Sequence, residues 1–169
     1  MDGSEGVRIA GIPIPAGGAV DPLLARLVAE LRAEGLRLVG FLQGRLPDGG
    51  MAVEDLAGGR LIGITQRLGP GSQGCRLDPQ GLAEAAVLAL HALDGGADLL
   101  VIPRFAKAEA EGQGFRAVIE KACAMQVPVL AAVRTDFAAA WDEFTGGLAR
   151  PLPPEPQVIL NWCRQAATA

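Results

Sequence analysis

Two runs of apolar residues constrain the fold of this chain more than any other feature. The run Leu99–Ile102 and the run 127–133, VPVLAAV, carry no polar residue. A strand that is apolar on both faces belongs in a parallel sheet that helices cover on both sides. The two runs therefore predict an α/β fold in which both are central strands.

The rest of the chain alternates between strand and helix patterns. Strands are predicted over 7–12 and 36–42, and a hairpin over 51–66. Helices are predicted to begin at the Asp-Pro pairs 21–22 and 78–79, because aspartate is a good N-cap and proline suits the first helical position. This order predicts a three-layer, doubly wound α/β fold with a mostly parallel sheet.

Length and charge limit the classes of protein that fit. A chain of 169 residues suits one domain, which we expect to span 1–169 with a Pro-rich connector at 151–156 before a C-terminal helix. The net charge of −4 argues against a nucleic-acid partner. No apolar stretch approaches the roughly 20 residues that span a bilayer, so no membrane partner is expected.

The cysteines indicate a reducing environment. Cys75, Cys123 and Cys163 are widely separated and form no metal-ligand pattern. An odd number of such cysteines is typical of a reducing cytoplasm. We therefore expect a cytoplasmic protein with free thiols.

Ligands of such sheets bind beyond the carboxyl ends of the strands. The loop after the first strand, GIPIPAGGAVDPLL, is where a phosphate-binding loop would lie. It lacks the pattern G-x-x-x-x-G-K-[ST], and with it the lysine that reaches the phosphates and the hydroxyl that holds magnesium. Gly17 and Gly18 are expected to form a tight turn that can contribute backbone groups to a ligand.

Arg104 and Lys107 follow the run Leu99–Ile102, where a new helix is predicted to begin. The amino end of a helix carries about half a positive charge, and two further cations there are best compensated by an anion. This interpretation predicts an anion site. The alternative is that Glu109 and Glu111, which favour a helix amino end, pair with the two cations.

Other residues could contribute to the same site. Arg76 precedes the second Asp-Pro helix start, and Gln43 ends the second predicted strand, so either side chain could contact an anion or serve the fold alone. Asp78 and Gly112 are further loop residues near the expected strand ends. His91 falls in the middle of a predicted helix, which argues against Ser/His/Asp and Cys/His catalysis.

Five segments in this order resemble a bacterial family of domains of unknown function: GFLQ, GCRLDP, ADLLVIPRFAKAEAEGQGFR, PVLAAV and AWDEFTGGLARPL. That family is distantly similar to P-loop nucleoside-triphosphatases, and its genes often lie near molybdate-transport genes. The resemblance implies a P-loop-NTPase-like fold with a degenerate phosphate loop, and a role in molybdenum homeostasis.

The most specific motif of that family runs from Arg104 to Arg116, and this chain departs from it twice. Pro103 stands where asparagine is common, and Ala106 stands where glycine is common. In the nucleotidase relatives the same strand end carries an acidic pair that serves magnesium and water. The resemblance therefore implies that the groups needed for phosphate hydrolysis are absent here.

Three functions remain open from the sequence. The first, which we expect, is a non-hydrolysing protein that binds a small anion, either an oxyanion such as molybdate or a nucleotide phosphate. The second is a divergent phosphohydrolase with a metal held by Asp48, Glu54 and Asp55. The third is a regulatory interaction module, for which Ala-rich helices would permit a homo-oligomer. The sequence identifies no cofactor.

Overall fold

The computed structural model describes residues 8–15, 18, 20–67 and 75–168, without the side chains of residues 66, 67, 75 and 76. Strands and helices alternate along the chain as predicted. In chain order the elements are β1 (Ile9–Ile14), α1 (Asp21–Ala33), β2 (Leu38–Arg45), β3 (Met51–Asp55), β4 (Leu61–Gly63), β5 (Thr65–Arg67), β6 (Cys75–Leu77), α2 (Pro79–Asp94), β7 (Leu99–Phe105), α3 (Lys107–Ala110), α4 (Arg116–Ala124), β8 (Val129–Arg134), a 3-10 turn (Thr135–Phe137), α5 (Ala138–Thr145), β9 (Arg150–Pro151) and α6 (Pro156–Thr168).

The main sheet has the strand order β4-β3-β2-β7-β8-β1-β9. The strands β2, β7, β8, β1 and β9 run parallel, whereas β3 and β4 form an antiparallel edge. The strands β5 and β6 pair separately as a short antiparallel ribbon. The two most apolar runs lie in β7 and β8 near the middle of the sheet, so the central placement predicted for them is confirmed.

Helices cover both faces of the sheet, which confirms the three-layer prediction. Successive residues of β7 alternate between two cores: Leu100 and Ile102 pack on one face, and Leu99 and Val101 pack on the other. The first core includes apolar residues of α2, α4 and α5, and the second includes those of α1 and α6. Strand β7 is therefore buried on both faces, and its carboxyl end opens between the two layers.

The predicted hairpin is confirmed, but two strand boundaries differ. β2 continues to Arg45 because β3 pairs with it antiparallel from Phe41 opposite Asp55 to Arg45 opposite Met51. The predicted strand 61–66 divides at Ile64, whose amide donates to the Met51 carbonyl. Gln43 consequently lies inside β2 and not at its end.

The helix starts agree only in part with the prediction. Asp78 is the N-cap of α2, and its carboxylate accepts the Gln80 amide at 3.0 Å. The prediction that Asp21 caps α1 is wrong, because Val20 is the N-cap and Asp21 is the first helical residue. Within the described ranges, no helix is both long and apolar enough to span a bilayer.

Candidate functional site

A cavity of about 120 Å³ opens at the carboxyl ends of β1, β2, β7 and β8. Its position follows from the strand pairing. β2 pairs with β7 only from Leu38 to Gly40, after which β2 follows β3 and β7 follows β8. The two strands separate beyond that point and leave a gap, which is lined by Ile14, Pro15, Gly18, Val20, Asp21, Gln43, Pro103, Arg104, Ala132 and Arg134.

Arg104 is the half-buried cation at the end of β7. Within the described part of the chain its guanidinium makes no hydrogen bond and no ion pair. Its charge does act at longer range on Glu109, where it favours the ionised carboxylate. A half-buried guanidinium with unused donors in a cavity is suited to an anionic ligand.

Arg134 is a second cation in the same cavity, and the sequence analysis did not identify it. Its Nε and Nη2 atoms donate to the two oxygens of Asp136 at 3.1 and 2.8 Å. This two-point contact fixes the direction of the guanidinium. The signal that could have identified it is its position at the carboxyl end of the second apolar run, next to the strand that carries Arg104.

Asp21 gives the cavity a negative side. It lies in the first turn of α1, lines the same cavity as Arg104 and Arg134, and is exposed. Its carboxylate would repel an anion at that end. An anion is therefore expected to bind against β7 and β8.

The prediction of a helix amino end beside Arg104 is wrong in one respect. α3 has only four residues, and Glu109 Oε1 accepts the amide of Ala106, its N-cap, at 3.0 Å. That amide is consequently unavailable to a ligand. Lys107 is exposed and does not line the 120 Å³ cavity.

The alternative, in which Glu109 and Glu111 pair with Arg104 and Lys107, is also not found in the described part of the chain. Glu109 is 4% exposed, and its Oε2 accepts the amide of Phe115 at 3.0 Å. Burial raises the pKa of its carboxyl, although the two backbone amides and Arg104 oppose this rise. Glu109 therefore holds the segment 106–115 in place from inside.

A second cavity of about 320 Å³ adjoins the first and shares Gln43, Pro103, Arg104 and Arg134 with it. Lys107 lies on the rim of this second cavity. The walls of the second cavity are mainly apolar and come from Met51, Val53, Ile64, Leu77, Leu82, Ala106, Ala108, Phe115 and Phe137.

The remaining predicted contributors are placed as follows. Gly18 lines the 120 Å³ cavity, whereas Gly17 lies outside the described residues. The backbone of Arg76 lies in β6, directly before Leu77 of the second cavity, but its side chain is outside the described part. Gly112 lies in the turn after α3 and lines a different groove, between α2 and that turn.

The structure brings together no metal site from the residues that the sequence suggested. Asp48 lies in the turn at one end of β3, and Asp55 lies at the other end. No group of three His, Cys, Asp or Glu in the described ranges could hold a metal ion. His91 is exposed on α2, and burial raises the pKa of the Cys163 thiol to about 12.

Two solved structures share the fold. The solution structure of a human cancer-related nucleoside triphosphatase matches with a TM-score of 0.67 at 17% identity, over 96% of both chains. The crystal structure of THEP1 from Aquifex aeolicus matches with a TM-score of 0.65 at 17% identity, over 90% of this chain and 95% of the other. The predicted fold of P-loop nucleoside-triphosphatases is thereby confirmed.

The sequence is also similar to a curated relative and to a family model. The chain is 40% identical over 166 residues to Molybdenum import ATP-binding protein ModC 2 of Bradyrhizobium diazoefficiens. The match covers 95% of this chain but only 18% of that relative. A family model described as "Protein of unknown function (DUF2478)" matches residues 9–162. The chain therefore belongs to the DUF2478 family.

Proposed function

We propose that this chain binds a small anion in the 120 Å³ cavity without hydrolysing it. The ligand class is an oxyanion such as molybdate, or the phosphate of a nucleotide. The observation that carries the proposal is the pair of arginines at neighbouring strand ends: Arg104 has no described partner, and Arg134 is oriented by Asp136. Charge-assisted hydrogen bonds from two arginines are a common means of binding an oxyanion.

The size of the cavity supports an anionic group of a few heavy atoms. A volume of about 120 Å³ corresponds to about four water molecules at ~30 Å³ each, which suits a tetrahedral oxyanion. The amide of Gln43, half-buried on β2, can add a neutral donor to the two guanidinium groups. The likeness to a protein named for molybdenum import makes molybdate the first ligand to test and supports a role in molybdenum homeostasis.

A thermal-shift and calorimetric screen tests the proposal. The ligands are molybdate, sulfate, inorganic phosphate and ADP, each with and without magnesium. A ligand at a hundredfold excess over its Kd stabilises the folded chain by about 2.7 kcal/mol, or roughly 5–11 °C for a chain of this size. The absence of any shift at millimolar concentrations of all four would contradict the proposal.

Arg104→Ala is expected to weaken anion binding by roughly 10- to 150-fold, the equivalent of about 1.5–3 kcal/mol for a charge-assisted hydrogen bond. The melting temperature should stay nearly constant, because Arg104 has no described bonding partner to lose. Lys107→Ala should have a smaller effect, since Lys107 lies outside the 120 Å³ cavity. Calorimetry and a melting curve of each variant measure both quantities.

Arg26→Ala is the matched control, because Arg26 is exposed on α1 and pairs only with Glu30 in the described chain. It should bind the anion as the unchanged protein does. If Arg104→Ala binds normally but melts much lower, Arg104 serves the fold and the proposal fails.

We expect no appreciable hydrolysis of ATP or GTP. The loop after β1 lacks the lysine and the hydroxyl of a phosphate-binding loop, and Pro103-Arg104 stands near the end of β7 in place of an acidic pair. Phosphate release with magnesium measures the activity. Turnover near one per second that Arg104→Ala abolishes would favour the phosphohydrolase.

A further inference from the structure

We propose that the ligand is an organic anion whose charged group binds in the 120 Å³ cavity and whose uncharged aromatic or apolar body fills the 320 Å³ cavity. This inference rests on the proposed function. It adds the chemical class of the ligand, a monoester of an oxyanion with a ring-sized apolar body, and it assigns a role to the second cavity.

The two cavities share walls. Gln43, Pro103, Arg104 and Arg134 line both of them, and these residues lie on β2, β7 and β8 beyond the point where β2 and β7 separate. A ligand that is bound by Arg104 through its anionic group can extend past these strand ends into the second cavity. An inorganic oxyanion would leave that space to water.

The second cavity is suited to an apolar body. Its volume of about 320 Å³ falls in the usual range for small-molecule sites, roughly 300–1,000 Å³. Leu77 contributes to its wall although 43% of that side chain is exposed. Covering such an exposed leucine with an apolar ligand removes hydrophobic surface from water, which favours binding.

Contacts within the protein fix one wall of the second cavity. Phe115 in its wall stacks on Phe41 with the ring centroids 4.8 Å apart. The Phe115 amide also donates to the buried Glu109, which fixes the backbone on that side. A rigid wall lowers the entropy cost of binding.

The carboxylates around the second cavity do not favour a cationic body. Both oxygens of Glu109 accept backbone amides, and the oxygens of Asp136 accept bonds from Arg134. Neither carboxylate is therefore free to attract a cationic group. Phe137 lines the second cavity, with its ring centroid 5.8 Å from the Arg134 guanidinium carbon, where a ligand ring could contact it.

The test compares four probes by calorimetry: inorganic phosphate, molybdate, phenyl phosphate and 1-naphthyl phosphate. We expect 1-naphthyl phosphate to bind at least roughly tenfold more tightly than inorganic phosphate, because its ring is buried against apolar walls. Arg104→Ala should weaken every probe that binds, since the anionic group is common to them.

Leu77→Gln tests the second cavity without changing the first, because Leu77 lines the second cavity and not the first. It should weaken 1-naphthyl phosphate by roughly fivefold or more and leave inorganic phosphate unchanged. Leu77 is exposed, so the variant should fold, and a melting curve checks this. Leu148→Gln is the matched control, an exposed leucine outside both cavities that should change neither affinity.

The outcomes distinguish the inference from the proposed function. If inorganic phosphate and 1-naphthyl phosphate bind equally, or Leu77→Gln affects neither, the organic-ligand inference is overturned and anion binding stands. If both bind but Arg104→Ala changes neither affinity, the proposed function is overturned as well. If no probe binds at millimolar concentration, both are overturned.

Discussion

Replacing Gly40 with alanine is expected to destabilise the fold strongly. Gly40 lies in β2 with φ at 117°, a conformation that residues with a side chain rarely adopt. An added Cβ would lie 2.0 Å from the carbonyl oxygen and 2.8 Å from the amide nitrogen of Val101. Both atoms are backbone of the central strand β7, so no side-chain rotation relieves the clash.

The expected cost is roughly 2–6 kcal/mol, the sum of about 1–3 kcal/mol for the backbone conformation and about 1–3 kcal/mol for the overpacking. A chain of this size would melt roughly 4–24 °C lower. Urea unfolding of Gly40→Ala and of the unchanged chain measures the difference. The change would also displace Gln43 relative to Arg104, because Gly40 is where β2 last pairs with β7.

Gly59→Ala separates the two contributions. Gly59 also has a positive φ, 76°, but no atom lies within 4 Å of the added Cβ. The control should lose only the cost of the backbone conformation. Equal losses in Gly40→Ala and Gly59→Ala would mean that the contact with Val101 relaxes, and would contradict the expected clash.

The centre of this fold could be predicted from the sequence because the sequence signals there are local. The side chains of β7 meet a core on each face, so every residue of the run Leu99–Ile102 had to be apolar. The α2 helix begins at Asp78-Pro79 because the aspartate accepts a backbone amide there. The same reasoning failed at Asp21, whose pair with proline looks identical but lies one position further into the helix.

The site was harder to predict because it depends on which strands are neighbours. Arg104 was found since it directly follows an apolar run. Arg134 follows the other apolar run in the same way but was not identified, because only the pairing of β7 with β8 shows that the two arginines lie together. The extent of β2 was likewise set by its partner β3 and not by its own residues.

The prediction of a regular helix directly after β7 was wrong for a different reason. A proper helix start was expected at 106–108, but α3 ends after four residues at a turn where Gly112 and Gly114 have positive φ angles. Gly114 is needed there, since a Cβ would lie 2.0 Å from Glu109 Oε2. The motif thus encodes a turn built around a buried carboxylate.

The second large expected effect is the loss of folding stability when the Glu109 carboxylate is removed. Glu109→Ala removes the acceptors of the Ala106 and Phe115 amides, each at 3.0 Å, and leaves the Phe115 amide buried without a partner. An unsatisfied buried donor costs about 1–3 kcal/mol, and the half-buried Ala106 amide adds less because water can reach it. We expect a total loss of roughly 2–4 kcal/mol, measured by urea unfolding.

Glu111→Ala is the matched control, because Glu111 is exposed two residues further along the same turn. It should unfold within about 0.5 kcal/mol of the unchanged chain. A loss in Glu111→Ala as large as that in Glu109→Ala would mean that general charge near Arg104, and not the two amide bonds, stabilises the segment.

The pH dependence of stability gives an independent measurement of the same group. Burial raises the pKa of Glu109 above its ordinary value of 4.5, so folding favours the protonated carboxyl. The contribution of this raised pKa is fully present below pH 4.5 and is lost as the pH rises through the folded-state pKa. Most other carboxylates of a protein act in the opposite direction.

The comparison variant is Glu109→Gln, which has nearly the same shape and does not titrate. Its amide oxygen can accept one backbone amide, but its NH₂ group faces the other donor, so it should be less stable at every pH. The stability of the unchanged chain relative to Glu109→Gln should fall as the pH rises from 4.5 towards neutrality. A difference that instead grows with pH would mean that the two amide bonds outweigh burial and that the pKa of Glu109 is lowered.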